Sequence, residues 1–140
     1  MRIVTLSLLA AALVGLGLSC EPRAEVLACH GAQQSREVAE LLFGRNIGNR
    51  LGVSEAAWAR FVAREMTPRF PDGLTVIDAT GQWRDRDSGK VVREPSKRVE
   101  IVLPGSADDA AKLDAIVAAY KSRFHQQAVG MVVRPACVSF

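Results

Sequence analysis

The pattern of apolar and polar positions along the chain predicts four strands. Apolar runs bounded by glycine or proline, and segments that alternate with a period of two, are typical of half-buried strands. The segments of this kind are 38–45 (VAELLFGR), 74–84, 91–93 with 98–103 (RVEIVL), and 128–133 (AVGMVV). Proline has no N–H to give to a neighbouring strand, so Pro95 is expected to interrupt the third strand and Pro135 to close the fourth.

Two further segments carry apolar residues at helical spacing, and each is preceded by a capping signal. Ser54 caps the first helix, and Glu55 places a negative charge in its first turn. Ser106 caps the second, with Asp109 three residues later in the position of a capping box. Pro68 ends the first helix. The apolar stripes are Trp58, Phe61, Val62 and Met66 in the first helix, and Leu113, Ile116, Val117, Tyr120 and Phe124 in the second.

The order of these elements, β-α-β-β-α-β, predicts the α+β class and a ferredoxin-like fold, which is an antiparallel sheet with two helices on one face. The fourth strand of that fold lies beside the first and runs antiparallel to it. Cys137 follows the fourth strand and Cys29 precedes the first, so both are expected at the same edge of the sheet, joined as a disulfide. In the chain-entropy model, closing so long a loop stabilises the fold by about 4–5 kcal/mol.

Residues 1–19 have the composition of a signal peptide, which predicts export. Arg2 supplies the positive charge, and residues 3–18 carry none. This apolar run of about 16 residues suits a signal-peptide core and is short for a membrane span, which needs roughly 20. An uncleaved membrane anchor is the alternative. The polar residues 20–36 predict a tether, and residues 37–140 predict a single α+β domain.

Cys20 stands where a lipoprotein carries its lipidated cysteine. Ser19 fits that motif, whereas Gly17 stands where a larger aliphatic residue is usual. Cleavage after Ser19 by the ordinary small-x-small rule is the alternative. The chain has three cysteines, so lipidation of Cys20 leaves an even pair for a disulfide in an oxidising compartment. We expect an exported lipoprotein of the periplasm or cell envelope, anchored in the membrane by its lipid, or otherwise a secreted protein.

Composition and charge mainly argue against certain classes of function. Hydrophobic residues make up 49% of the chain and charged residues 24%, as in an ordinary globular domain. The net charge of +3 is spread over the chain without a long basic run, which argues against a nucleic-acid partner. No cofactor-binding motif is present, so no cofactor is expected. The adjacent Cys29 and His30 and the distant His125 lack the spacing of metal ligands, so no metal site is expected either.

Four residues are candidates for a ligand-binding site: Arg45, Trp83, Lys97 and His125. Arg45 begins a glycine-bearing loop, 46–52, whose amides could receive an anion, although ordinary turn glycines explain it equally well. Trp83 and Lys97 lie on the two arms of a hairpin and could face each other across strands, as a recognition surface or as a stabilising pair. His125 lies at the flank of the second helix, where a plain surface histidine is the alternative to a general base.

Five stretches of the chain resemble one family of small exported bacterial proteins, the domain of unknown function 3574 family. They are LLFGR (41–45), TPRFPDGLTV (67–76), GQWR (81–84), EPSK (94–97) and YKSRFHQQAV (120–129). The resemblance covers residues 38–133, nearly the whole folded part. It implies a small, often secreted or lipid-anchored domain without an assigned activity, and it brings no set of catalytic residues with it.

Two functions are consistent with these features. The first is a non-enzymatic binding or interaction module of the envelope that dimerises through the sheet face left free by the helices, where Leu42, Ile77 or Ala79, and Val102 are expected. The second is a small enzyme or ligand carrier with a pocket at a sheet–sheet dimer interface, which is an analogy from fold alone. The second requires the four candidate side chains to converge on one concavity.

Overall fold

Six strands and two helices make up the part of the chain that the structure, a computed structural model, describes, residues 28–140. The predicted signal peptide, Cys20 and the first part of the predicted tether lie outside the described residues. The strands are β1 (Gln34–Gly44), β2 (Asn46–Ile47), β3 (Arg50–Leu51), β4 (Thr75–Arg84), β5 (Val91–Val102) and β6 (Gly130–Val138). The helices are α1 (Glu55–Phe61), continued by a π-helical turn at Val62–Met66, and α2 (Asp109–Phe124).

The four long strands form one antiparallel sheet in the order β4-β5-β1-β6. Without the short β2–β3 ribbon, this order reads second, third, first, fourth. The first and fourth long strands therefore lie side by side, as the ferredoxin-like arrangement requires. The predicted α+β class and fold are confirmed. The β2–β3 ribbon stands where a plain loop was expected.

One face of the sheet packs against both helices and forms the core. Side chains alternate between the faces of a strand, and Ala39, Leu41 and Phe43 of β1 share the helix side with Val99 and Ile101 of β5. All five are buried. The buried helix residues that cover them are Trp58, Phe61 and Met66 of the first helical segment, and Leu113, Ile116, Tyr120 and Phe124 of α2. Both predicted apolar stripes therefore face the core. We call the other side of the sheet, which neither helix covers, the open face.

Five aromatic rings pack together at the centre of this core. Phe43 on β1 lies with its ring centroid 4.7 Å from that of Tyr120 and 5.2 Å from that of Trp58, both edge to face. Phe61 makes similar contacts with Tyr120 at 5.1 Å and with Phe124 at 5.8 Å. Such pairs add roughly 0.5–1.5 kcal/mol each beyond the area they bury. The cluster fixes both helices against the end of β1.

The expected interruption at Pro95 is wrong, since β5 runs unbroken from Val91 to Val102. A hydrogen-bonded antiparallel pair exchanges two N–H···O bonds, and the N–H of Arg45 donates to the Pro95 carbonyl at 3.0 Å. Proline cannot return that bond. The Arg45 carbonyl instead accepts from the N–H groups of Gly52 and Val53, each at 3.0 Å. These two N–H groups replace the donor that Pro95 lacks, and they do so where β1 ends. β5 is therefore not interrupted at Pro95.

The expected end of the last strand at Pro135 is also wrong, because β6 continues to Val138. Within the described residues β6 pairs only with β1, so it is an edge strand, and an edge tolerates a proline whose nitrogen faces outward. β1 correspondingly begins at Gln34, earlier than expected, and pairs with Val138. The start of the second helix differs as well: its cap is Asp108, although Asp109 Oδ2 accepts the Ser106 N–H at 2.9 Å, as one half of a capping box does.

The predicted disulfide between Cys29 and Cys137 is confirmed. The two Cα atoms are 5.4 Å apart, and 108 positions separate the residues along the chain. The disulfide joins the segment that precedes β1 to the C-terminal end of the edge strand β6. It therefore fixes both termini of the described domain at one end of the sheet, while the β2–β3 ribbon lies at the other.

Candidate functional site

Lys97 on β5 is the centre of an ion-pair cluster on the helix side of the sheet. Its side chain is 6% exposed, and its Nζ contacts Glu55 Oε2 at 2.8 Å and also Asp78 Oδ1. Asp78 is its cross-strand neighbour on β4, and Glu55 opens α1. The two carboxylate side chains are 67% and 81% exposed. A buried ammonium group is thus held by two carboxylates that face solvent.

Arg45 joins this cluster from the end of β1. Its Nη1 lies 2.5 Å from Glu55 Oε1, while Nε and Nη2 donate to the Val53 carbonyl at 2.9 and 2.7 Å. The residue is buried. The amides of Gly52 and Val53, at the end of the loop considered as an anion receptor, donate to the Arg45 carbonyl. Arg45 therefore links the ribbon segment to α1.

Ion pairing keeps the three members of the Lys97 cluster charged at neutral pH. Hydrogen bonding to Lys97 lowers the pKa of Glu55 and the pKa of Asp78. The bond to Asp78 in turn raises the pKa of Lys97. A protonated amine is not a nucleophile, and an ionised carboxylate is not a proton donor. The cluster therefore supplies fixed charge at neutral pH, and its ionised carboxylates can accept a hydrogen bond or a proton.

The end of β1 is also tied to α2. The Tyr120 hydroxyl donates to the Gly44 carbonyl at 2.8 Å, and Gln126 Nε2 donates to the Asn46 carbonyl at 2.6 Å. Burial raises the pKa of Tyr120, so its hydroxyl stays protonated as a donor. On the open face, Glu94 Oε2 accepts the Asn46 N–H at 3.2 Å. A Cβ on Gly44 would lie 2.8 Å from that carboxylate, so a larger residue here would displace the Glu94 side chain.

The open face carries a second ion-pair cluster, centred on Arg98, the residue after Lys97. Arg98 Nη2 lies 2.8 Å from Glu40 Oε2 and 3.5 Å from Glu100 Oε2. Arg134 Nη2 lies 3.8 Å from the same Glu100 oxygen. The Arg98 side chain is 39% exposed, and its Nε has no hydrogen-bond partner among the described residues. This cluster spans β5, β1 and β6 and is open to solvent.

Apolar side chains surround the Arg98 cluster. The strand register places on the open face the predicted residues Leu42, Ile77, Ala79 and Val102. Trp83 and Val132 share that face. Four of these side chains are large and exposed: Leu42, Ile77, Trp83 and Val132. Exposed apolar groups around a charged centre are typical of a surface that contacts another molecule.

A groove of about 780 Å³ lies on the open face, at the end of the sheet that carries the disulfide. Arg36, Glu100 and Val102 line its floor, since all three point to this side of β1 and β5. Its walls include the segment 72–74 and the C-terminal segment 138–140. The lining mixes charged and apolar groups, as a contact surface for another protein does.

The four candidate residues do not converge on one concavity. Arg45 and Lys97 come together through Glu55 on the helix side. Trp83 lies on the open face opposite Val92, so the expected pairing of Trp83 with Lys97 is wrong. His125 is exposed and ends α2 with a positive φ of 51°. The register decides this outcome, because Lys97 pairs with Asp78, five residues before Trp83.

Sequence reasoning missed most of the charged residues that form the two clusters. The sequence predicts only a first-turn charge at Glu55, and it indicates strand positions without a role for Asp78, Glu40, Glu100 and Arg98. The alternation of 98–103 carried a usable signal, because Arg98 and Glu100 fall on the side opposite Val99 and Ile101. Two opposite charges on the exposed side of one strand predict an ion-pair row there.

Within residues 28–140, no helix is long and apolar enough to cross a membrane. The same residues contain no group of three or more histidine, cysteine, aspartate or glutamate side chains placed to hold a metal ion.

A family model matches most of the chain. The model described as "Protein of unknown function (DUF3574)" matches residues 38–140, a range that contains both helices and nearly all of the sheet. It agrees with the resemblance seen in the five sequence stretches and extends it to the C-terminus. No curated protein sequence matches the chain at a significant level.

Several solved structures are similar to this chain. A phage SAM lyase in complex with S-methyl-5'-thioadenosine is similar with a TM-score of 0.59 and 17% identity, over 84% of this chain and 97% of that chain. The same kind of lyase in its apo state gives a TM-score of 0.57 and 18% identity, over 81% and 91%. CutA from Synechococcus elongatus gives 0.48 and 10%, over 76% and 80%. At such identities the likeness concerns the fold alone.

Proposed function

The chain belongs to the DUF3574 family, whose description assigns no activity, and we propose that it is an exported binding module that contacts its partner through the open face of its sheet. One observation carries this proposal. The open face combines four large exposed apolar side chains with a half-exposed ion-pair cluster and a groove, and neither helix covers it. Antiparallel sheets that face water on one side are normally polar there.

The buried charged groups on the helix side of the molecule are engaged within the fold. The two buried cations, Arg45 and Lys97, are both engaged by carboxylate or carbonyl oxygens. The shifts in pKa hold Lys97, Glu55 and Asp78 in their charged forms at neutral pH. These contacts stabilise the fold. The exposed apolar and charged side chains that remain available to a partner lie on the open face.

The export part of the proposal is supported by the apolar leader and by the disulfide. A disulfide persists in oxidising compartments such as the bacterial periplasm, and Cys29–Cys137 is formed in the structure. We propose that Cys20 carries a lipid anchor. Eight residues separate Cys20 from Cys29, so the anchor would hold the disulfide end of the domain within about 30 Å of the membrane surface.

A photo-crosslinking residue at Ile77 tests the proposal in intact cells. Ile77 and Val76 are neighbours on β4, are 43% and 38% exposed, and point to opposite faces of the sheet. Val76 is therefore a matched control. Cross-linked adducts are expected from Ile77 and not from Val76. Equal adducts from both positions, or none from either, would contradict the open face as the binding surface.

The pocket expected at a sheet–sheet interface is not formed by the four candidate residues, so the second candidate is a different ligand site, on the helix side at the Asp78 carboxylate. Lys97 holds Asp78 Oδ1, while the side chain is 81% exposed, so its second oxygen is oriented toward solvent as a hydrogen-bond acceptor. Such an acceptor suits hydroxyl donors such as those of a ribose. The phage lyase of similar fold is described with S-methyl-5'-thioadenosine, which makes this nucleoside the probe. A thermal shift that appears in the wild type and is lost in Asp78→Asn would support this candidate, and no shift would reject it.

A further inference from the structure

The open face has a charge pattern that bears on the nature of its partner. Arg98 and Glu100 stand two residues apart on β5, so their side chains project from the same face in neighbouring positions. Glu40 lies beside Glu100 on β1, which places two carboxylates in one row and the guanidinium in the next. A face with this pattern is complementary to a copy of itself only in certain orientations.

Two twofold arrangements of stacked sheets can be compared. If the axis runs along the strands between β5 and β1, Glu100 meets the partner's Glu40, and two carboxylates face each other. If the axis runs across the strands at the level of Val99, Arg98 meets the partner's Glu100, and Glu100 meets the partner's Arg98. Like charges that face each other are destabilising, whereas the second arrangement pairs opposite charges. It also brings a carboxylate to the Arg98 side chain, which is 39% exposed in the single chain.

The same axis crosses all four strands in one row, at Leu41, Val76, Val99 and Met131, since the register aligns these positions. It places the exposed Val132 opposite the partner's Gly130, beside the Leu42 side chain that borders this glycine. Apolar side chains of β6 and β1 therefore meet across the axis.

The arrangement also gives the exposed side chain of Trp83 a contact with the partner. It lies seven residues beyond the axis on β4, so it projects over the partner at the position equally far on the other side. That position lies just past the segment 72–74, which forms one wall of the groove of about 780 Å³. Trp83 is 46% exposed in the single chain. A tryptophan that enters a groove is a typical centre of binding energy in a protein interface.

Resting on the proposed function, we infer that the partner is a second copy of this chain, stacked face to face about a twofold axis across the strands, with Trp83 of each copy in the groove of the other. Four strands spaced about 4.8 Å apart and about nine residues long give a flat area of roughly 550 Å² on each copy. This lies at the low end of specific interfaces. The dimer is therefore expected to dissociate in the micromolar range.

Charge reversal at the centre of the face tests the inference. The variants Arg98→Glu and Glu100→Arg are each made in a chain with Cys20→Ser, which removes the lipid, and are studied by sedimentation equilibrium. Each single variant places like charges across the axis, so its dimer is expected to weaken about tenfold or more. A 1:1 mixture of the two is expected to form a heterodimer. A mixture that stays monomeric would overturn the inference.

The mixing experiment separates association from folding. Both single variants disturb the ion pair inside one copy in a similar way, and only the contact between copies distinguishes the mixture from its components. Circular dichroism checks that each variant is folded. If either is not, Trp83→Ala replaces it, because this exposed residue leaves the core intact. The Trp83→Ala dimer is expected to weaken about tenfold or more, and an unchanged dissociation constant would contradict the proposed contact.

The two levels of the proposal fail in different ways. A monomeric wild type at high concentration, together with Ile77 adducts to another protein, would reject the second copy and keep the open face as a binding surface. A dimer that forms normally while Ile77 gives no adducts would place the contact elsewhere and reject both.

Discussion

Lys97 and Arg98 are consecutive residues of β5 that point to opposite faces of the sheet, and each contacts two carboxylates. Lys97 contacts Glu55 and Asp78 on the helix side, with 6% of its side chain exposed. Arg98 contacts Glu40 and Glu100 on the open face, with 39% exposed. The two clusters have the same chemistry and differ in their access to solvent.

The difference shows how one kind of ion pair serves two purposes. The stem of Lys97 is buried, and its amine reaches carboxylates on two other elements, β4 and α1. Breaking this cluster removes the tie between β5 and α1. The Arg98 cluster joins neighbouring strands that the backbone already holds together. In the proposed account, the first cluster contributes stability and the second contacts the partner.

The largest expected effect follows from removing each cation in turn. Lys97→Ala deletes a buried stem and two charge-assisted hydrogen bonds, so the free energy of unfolding should fall by about 2 kcal/mol or more. Arg98→Ala should cost the single chain about 0.5 kcal/mol or less, as partly exposed pairs do. Urea unfolding at a low protein concentration measures both. Equal losses would contradict the division between the two faces.

A smaller effect is expected from Tyr120→Phe. The hydroxyl of Tyr120 donates to the Gly44 carbonyl at 2.8 Å, and losing one such bond costs about 1 kcal/mol. The ring stays in the aromatic cluster, so packing is preserved. The same urea series gives the value, and an unchanged midpoint would show that the end of β1 is held by its other contacts. Trp83→Phe on the open face is the control and should leave the free energy of unfolding of the single chain unchanged.

These contrasts also explain which parts of the structure could be read from the sequence. The alternation of 98–103 and the two helical stripes identify the core faces, because burial imposes a period on each element. The disulfide follows from topology once four strands are ordered. Pro95 was misread because a proline rule considers the strand alone, while the replacement donors, Gly52 and Val53, come from a different element.

The candidate site was less accessible to sequence reasoning. The sequence predicts Lys97 as a candidate site residue but does not predict its partners, because a shift in hairpin register of a few residues changes every cross-strand neighbour. The loop of 85–90 allows several registers, and only the packed sheet selects the one that pairs Lys97 with Asp78. Glu55 reaches the cluster through the packing of α1, which no spacing along the chain encodes.

The pH dependence of stability should differ between the wild-type protein and a variant in which Lys97 is replaced by a neutral residue. The pKa values of Glu55 and Asp78 are lowered by Lys97, so their contribution is present above the ordinary carboxyl pKa of about 4 and is lost as pH falls through the lowered values. The gap in melting temperature between wild type and Lys97→Met should be constant from about pH 7 to 5 and should narrow below about pH 4. Thermal melts across this range measure the gap. A gap that stays constant at pH 3 would show that the carboxylates do not depend on Lys97.

The most direct test of the open face compares two neighbouring positions of β4 in the unlipidated chain. Ile77→Glu places a charge on the open face, and Val76→Glu places the same charge on the other side at similar exposure. Sedimentation equilibrium gives the average mass as a function of concentration. The account predicts that Ile77→Glu remains a monomer at concentrations where the wild type and Val76→Glu form dimers. Association that is unaffected by Ile77→Glu, or lost equally in both variants, would contradict it.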